Sequence, residues 1–342
     1  MSFSVLPVNL ENDNGLLIEM MRRYLTPLSN ERRYNWLYKE NPEGPAKLWV
    51  LLSSDTNSIV GSAAIVPRRM YVGKQELRCA LLVDLWTHPE YRTLGPALKL
   101  QRACLEEIRA GAYSLYYDFP QSSMLAVHKR LGVDASHQLV RLTKPLNVER
   151  KFGRVAQLPV LGKLLTGGTN RLLALGDELR SQRSGCTISE QTDMFAEDIT
   201  AFTRQHSSSY GACVARTASY LNWRFQSHFH NRFTILTAHQ NNSFVGYIVF
   251  HYQGEAARVV DLFSIEDRRV TADLVFSALK VLKSRGALSV DIPCLCCHSQ
   301  TSFLRKIGFF ARETHPVIVS APRANFDFGT HELFLMDGDR ES

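Results

Sequence analysis

One short stretch of the sequence has the residue types of an anion-binding loop. Arg92, Gly95 and Ala97 follow the spacing Arg-x-x-Gly-x-Ala, between an apolar run and a predicted helix. A helix N-terminus leaves backbone N–H groups unpaired and carries positive partial charge, and a glycine lets a phosphate approach the backbone. Pro96 fits the first helical turn, and Arg92 adds a charged donor. The stretch predicts a pyrophosphate site; the alternative is an ordinary surface turn.

A carboxylate precedes this loop by eight residues. Asp84 lies between Val83 and Leu85 in the apolar run. A carboxylate among apolar neighbours needs a partner or a function. Asp84 is therefore a candidate general base, or a binder of an acceptor ammonium group. Asp261 has a corresponding place later in the chain, so a shared structural role is the alternative.

The elements that carry these residues occur twice. Five pairs recur in the same order at offsets of 187, 185, 177, 175 and 176 residues: Trp36 and Trp223, Gly61 and Gly246, Asp84 and Asp261, Gly111 and Gly286, and Gly132 and Gly308. Five matches in one order predict an internal duplication.

Each repeat shows the same succession of elements. A short strand and a helix precede a hairpin with an Asn-containing turn, a long strand, a helix that ends at a glycine, another strand and a short helix. The fold class predicted is α/β, with two tandem domains that each contain a mixed, mostly antiparallel sheet flanked by helices. We place the first domain at 1–144, a connector at 145–185 and the second domain at 186–342.

The stretch from Leu82 to Ala97 resembles the signature of the GNAT superfamily of N-acyltransferases, in which a strand and a Pro-Glu-Tyr-like turn precede the Arg-x-x-Gly-x-Ala helix start. The resemblance implies an acyl-CoA cosubstrate, most simply acetyl-CoA. It also implies that the loop binds the pyrophosphate and that the preceding strand binds the pantetheine arm through its backbone. The residues concerned are Leu85, Trp86, Thr87, Arg92, Thr93, Leu94, Gly95, Pro96 and Ala97.

The resemblance also points to an acid for the leaving thiolate. Many family members have a tyrosine four residues before a Gly-Phe step, and here His128 stands four residues before Gly132-Val133. Histidine can donate a proton near neutral pH. We therefore assign catalytic roles to Asp84 and His128, with Asp118 as a weaker candidate. An exposed histidine on a helix is the alternative for His128.

The second repeat lacks the anion-binding features. Its loop has no glycine and carries Glu266, Asp267 and Asp273, whose charge repels a phosphate. We expect this domain to shape the acceptor pocket or to form a homodimer, and not to bind CoA.

The net charge of +7 is concentrated in residues 141–185, which hold nine basic and three acidic residues. Residues 145–185, with their short amphipathic stretches, are interpreted as a bridge between the domains; the alternative is contact with an acyl carrier protein or a membrane surface. It lacks interleaved aromatic residues, so nucleic acid is not expected as a partner.

The seven cysteines are odd in number, which favours reduced thiols. Together with the lack of a leader or a long apolar run, this predicts a cytoplasmic protein. Cys294, Cys296, Cys297 and His298 lack a second ligand pair, so buried thiols are expected and no metal. Residues 337–341 are interpreted as a solvated tail, with entry into the active site as the alternative.

The function predicted is transfer of an acyl group, most simply acetyl, from CoA to the amine of a small molecule such as an amino sugar or amino acid. Two alternatives stay open. One is an acyltransferase that takes its acyl group from an acyl carrier protein. The other is a GNAT-fold protein that binds a ligand or partner without catalysis.

Overall fold

The structure, a computed structural model, describes residues 2–12, 14–147, 184–322 and 332–341. We call residues 2–147 the first half and the described residues from 184 onward the second half. The predicted connector at 145–185 falls almost entirely outside the described residues. The strands are β1 Phe3–Pro7, β2 Lys47–Ser53, β3 Ile59–Val72, β4 Gln75–Thr87, β5 Leu115–Asp118, β6 His137–Pro145, β7 Thr187–Glu190, β8 Ala212–Val214, β9 Thr234–Gln240, β10 Ser243–Gln253, β11 Ala256–Ser264, β12 Ser289–Leu295, β13 Phe310–Ser320 and β14 Leu333–Phe334.

The helices lie between these strands in the order that the two repeats predict. Two short helices continue as single π-helical turns, at Asn35–Lys39 and Asn222–Gln226. The helices are α1 Gly15–Tyr24, α2 Glu31–Tyr34, α3 Leu94–Glu107, α4 Ser122–Arg130, α5 Asp198–His206, α6 Ala218–Leu221, α7 Arg268–Ser284 and α8 Ser299–Lys306.

The strands form one continuous sheet because the two halves exchange strands. Along the main path the order is β1-β2-β3-β4-β5-β13-β6-β12-β11-β10-β9-β7. Strand β6 of the first half pairs with β12 of the second half, and β13 of the second half pairs with β5 of the first half. The α/β class with a mostly antiparallel sheet is confirmed. The prediction of one sheet in each domain is wrong, because the strands form a single sheet. Hydrophobic patterns within one repeat do not specify which copy a strand joins.

The repeated tryptophans meet at the junction of the halves. The rings of Trp36 and Trp223 stack with centroids 4.4 Å apart. Each indole N–H donates to the other's backbone carbonyl, at 3.1 Å from Trp36 and 3.0 Å from Trp223. The two halves therefore meet at a reciprocal aromatic pair that is buried at their junction.

The structure contains two short strands, β8 and β14, that the repeats do not predict. Gly111 and Gly286 have φ of 106° and 85°, the left-handed conformation that ends a helix at glycine. Within the part of the chain that the structure describes, no helix is long and apolar enough to span a bilayer.

Candidate active site

A cavity of about 510 Å³ opens where β4 and β5 separate. These parallel strands pair only at Cys79 with Leu115, Ala80 with Tyr116 and Leu81 with Tyr117. Beyond that point Leu82–Thr87 form one wall, and residues from Asp118 to Val127 form the other. The unpaired edge of β4 thus presents backbone groups to the cavity.

A β-bulge shapes this edge. Asp84 and Leu85 together lie opposite the single residue Ala63, because the register shifts between Ser62 with Trp86 and Ala64 with Val83. Asp84 has φ of 54°, which is uncommon for a residue with a side chain. The bulge therefore turns the strand at the residue that the sequence singles out, as bulges beside functional sites commonly do.

The carboxylate of Asp84 is fully engaged by neighbours. The guanidinium of Arg33 donates to both oxygens, at 2.9 and 2.8 Å, and the hydroxyl of Tyr38 donates to one of them. Burial alone would lower the pKa of Arg33, but the charges of Asp84 and Tyr38 and the hydrogen bonds to Asp84 together outweigh burial and raise that pKa. Burial and the same charge raise the pKa of Tyr38. This arrangement favours a bracing role for Asp84, between α2 and β4, over that of a free base.

The loop before α3 has the features of an anion site. The side chain of Thr93, the N-cap residue, makes no capping hydrogen bond, and the first turn of α3 carries no acid. A Cβ placed on Gly95 would meet nothing within 4 Å, so this backbone faces open space. Arg92, Thr93, Leu94 and Ala97 line the cavity.

The other residues that are predicted to bind CoA lie partly in the cavity wall and partly in the first turn of α3. Leu85, Trp86 and Thr87 line the cavity as part of β4. Gly95 is exposed in the first turn of α3, and Pro96 is buried behind it. Their CoA contacts stay predictions.

His128 is completely buried, so the exposed alternative is wrong. Its Nε2 lies 2.7 Å from Oδ2 of Asp118, and Asp118 lines the cavity. Nδ1 of His128 is buried and has no hydrogen-bond partner in the described structure. His128 thus reaches the cavity only through Asp118, and its catalytic role stays a prediction.

Tyr24 is a cavity residue that the sequence reasoning missed. Its ring stacks on Trp86 with centroids 5.6 Å apart. Its hydroxyl lies 2.9 Å from Nε2 of His88, whose Nδ1 accepts from the N–H of Glu90. Because Nδ1 accepts, Nε2 carries the proton and donates to Tyr24. Nothing in the spacing along the chain links α1 to this wall.

Glu341 also lines the cavity, and the expected solvated tail is a wrong prediction. Asp337 and Asp339 are buried, with Asp339 only 1% exposed, and Glu341 is half-buried. Burial raises the pKa of Glu341, and the nearby charge of Asp84 adds to the shift. Acidic composition suggests solvent exposure, but composition cannot reveal a buried arginine partner elsewhere in the fold.

In the second half, α7 is the helix that corresponds to α3, and its N-terminus is capped by a side chain. The carboxylate of Asp267 caps α7 by accepting from the N–H of Arg269 at 2.8 Å. Asp273 accepts from Ser184, and Asp261 accepts from Arg216 and Tyr247. The carboxylate of Asp267 thus occupies, at α7, the position that corresponds to the predicted phosphate site at α3.

The cysteine-rich stretch divides into different environments. Cys294 is buried, and its Sγ lies 3.0 Å from Oγ1 of Thr301, within hydrogen-bond distance. Cys296 is partly buried and Cys297 is exposed. The expectation of buried thiols therefore holds for Cys294 only. Across the described ranges, no three His, Cys, Asp or Glu side chains are grouped so that they could hold a metal ion.

The comparisons identify the domain that carries this cavity. Residues 24–134 match the family model of the acetyltransferase (GNAT) domain, so this part of the chain is a GNAT domain. The match includes β4, the loop, α3 and the Asp118–His128 pair. No curated protein matches the chain at a significant level.

Solved structures show that the fold extends over nearly the whole chain. An Enterococcus faecalis probable N-acyltransferase has 10% identity and a TM-score of 0.67, over 94% of this chain and 72% of that one. An Anabaena variabilis GCN5-related N-acetyltransferase has 14% identity and a TM-score of 0.66, over 94% and 73%. Saccharomyces cerevisiae N-myristoyltransferase with bound myristoyl-CoA has 11% identity and a TM-score of 0.59, over 98% and 89%.

Proposed function

We propose that the protein is an N-acyltransferase that moves an acyl group from acyl-CoA to the amine of a small molecule. The observation that carries the proposal is the cavity between the diverging strands β4 and β5 of a GNAT domain, beside the uncapped N-terminus of α3. The pyrophosphate binds at Arg92–Ala97, and the pantetheine arm follows the edge of β4 into the cavity.

The acceptor side of the cavity suits a cation. Glu341 and Asp118 both line it, and two carboxylates attract an ammonium group. Transfer requires that the ammonium lose a proton before its nitrogen attacks the thioester carbonyl carbon. The C–N bond then forms and the attacking nitrogen loses a second proton, while the C–S bond breaks and the CoA thiolate takes up a proton.

Glu341 is the carboxylate that we assign to remove the ammonium proton. Asp84 is held by Arg33 and Tyr38, whereas Glu341 faces the cavity with a raised pKa. A raised pKa brings a carboxylate closer to the working pH and makes it a better base.

The test is transfer itself, measured as CoA release by chromatography with acetyl-CoA and longer acyl-CoAs against a panel of amines. Glu341→Gln should lower kcat by roughly 10²- to 10⁴-fold. Glu19→Gln, an exposed carboxylate on α1, should leave kcat unchanged.

The pH dependence gives a second readout. Only the ionised carboxylate accepts a proton, so kcat should fall as pH drops through the raised pKa of Glu341, above the ordinary value of about 4.3. This acid limb should disappear in Glu341→Gln. No CoA release with any amine or acyl chain would refute the proposed function.

A further inference from the structure

The second half contains a gap that corresponds to the cavity of the first half. There β11 and β12 pair in parallel only at Ala256 with Ser289, Ala257 with Val290 and Arg258 with Asp291. Both strands then continue, to Ser264 and Leu295. This is the divergence that β4 and β5 show.

The chain's own residues 335–339 fill this second gap. Met336 bridges to Cys294 of β12, and Arg258 of β11 donates to Asp337 at 3.3 Å. Gly338 lies so close to β11 that an added Cβ would be 2.9 Å from the carbonyl oxygen of Val260. The same Cβ would be 3.0 Å from the ring of Phe225, so only glycine fits without movement.

Buried polar groups fix the segment in this place. Arg216 donates to Asp339 at 3.1 Å and to Asp261 at 2.9 Å, and all three are nearly inaccessible to solvent. Nε of Arg224 donates to the carbonyl of Gly338 at 2.8 Å. Charge-assisted bonds in a buried setting are strong and directional.

From these contacts with Arg216 and Arg224, the segment continues directly into the first half. The hydroxyl of Tyr117, on β5, donates to the carbonyl of Asp339 at 3.0 Å. The guanidinium of Arg340 lies 5.4 Å from the centre of the Phe119 ring, on the cavity wall. Glu341, the next residue, lines the cavity.

We propose that the second half has exchanged acyl-CoA binding for a positioning function: its gap holds residues 335–339 and thereby sets Glu341 in the cavity of the first half. Gly338 and Asp339 are positioning residues, because they contact β11 and Arg216 and do not line the cavity. The assignment of Glu341 as base rests on the proposed function; the filled gap does not.

The central test is Gly338→Ala, which must displace the segment because β11 backbone lies in the way. We expect kcat to fall by up to about 100-fold, the cost of a misplacement of about 1 Å, while the Kd for acetyl-CoA stays unchanged. In a Glu341→Gln background the same change should have no further effect on kcat. Arg285→Ala, which removes an exposed ion pair with Glu190 elsewhere in the second half, is the control and should behave as wild type.

Two further readouts separate the positioning proposal from the proposed function. Amide hydrogen exchange over residues 332–341 should accelerate in Gly338→Ala, whether or not an acceptor is known. Asp339→Asn, which removes the charge that Arg216 meets, should give the same result if Gly338→Ala fails to fold. Calorimetry should find one acetyl-CoA site per chain.

The proposal is overturned if Gly338→Ala and Asp339→Asn both keep the hydrogen exchange and the kcat of the wild type. It is also overturned if the losses of kcat in Gly338→Ala and Glu341→Gln multiply in the double variant, or if calorimetry finds a second acetyl-CoA site. If the wild type releases no CoA with any amine, the proposed function fails; exchange and stoichiometry then still decide the positioning proposal.

Discussion

Replacing Asp84 by asparagine separates its two interpretations, brace and base. The change keeps the size of the side chain but removes the charge that the guanidinium of Arg33 meets. The side chains of Arg33 and Asp84 are only 6% and 4% exposed, so water cannot replace the lost partner. Removing one member of a buried ion pair costs about 3–5 kcal/mol. In a chain of 342 residues that lowers Tm by roughly 4–7 °C.

The assay combines unfolding in urea with kinetics at a temperature where the variant is folded. A brace predicts a loss of about 3–5 kcal/mol in the free energy of unfolding, with kcat within about tenfold of wild type. A general base predicts a loss of roughly 10²- to 10⁴-fold in kcat. Asp291→Asn, on β12, removes another ion-paired carboxylate that does not line the cavity, and should leave kcat unchanged. Wild-type stability of Asp84→Asn together with a large loss of kcat would contradict the bracing role.

Three other predictions concern the loop, the junction and the thiols. Arg92→Ala removes a charged donor from the loop and should weaken acetyl-CoA binding by about tenfold to a hundredfold in calorimetry, with an unchanged Tm. Trp36→Ala should cost about 3–5 kcal/mol in urea unfolding, and a double-mutant cycle with Trp223→Ala should show a coupling of about 0.5–1.5 kcal/mol from the lost stack. Cys297 is exposed and should react with iodoacetamide in the native protein, whereas burial raises the pKa of Cys79 and Cys104 and should keep both unlabelled by mass spectrometry.

The elements of each repeat could be predicted because local chemistry determines them. The glycines at the ends of α3 and α7 and the Asn turns have φ values that local sequence specifies, including 49° for both Asn57 and Asn241. The arrangement of the cavity wall at Leu85–Thr87 and Arg92–Ala97 follows from one strand, one loop and one helix. These residues are contiguous, so a motif can reveal them.

The remainder of the site depends on contacts between distant segments. Glu341 comes to the cavity through a segment that is held by Arg216, 123 residues from Asp339. Likewise Arg33 lies 51 residues from Asp84, and neither partner's sequence neighbourhood indicates the pair. The sequence of one repeat also does not indicate that β6 and β13 pair with strands of the other half, because each half has an equivalent strand edge. Only the folded chain shows these partners.

Calorimetric titration of acetyl-CoA and CoA into the wild type and Gly95→Asp tests the proposed CoA site most directly. A Cβ at Gly95 meets no protein atom within 4 Å, so the variant should fold and differ only by a carboxylate where we propose that the pyrophosphate binds. We expect one site per chain in the wild type and none in Gly95→Asp. Absence of binding to the wild type, or equal binding to both, would contradict a CoA site at the N-terminus of α3.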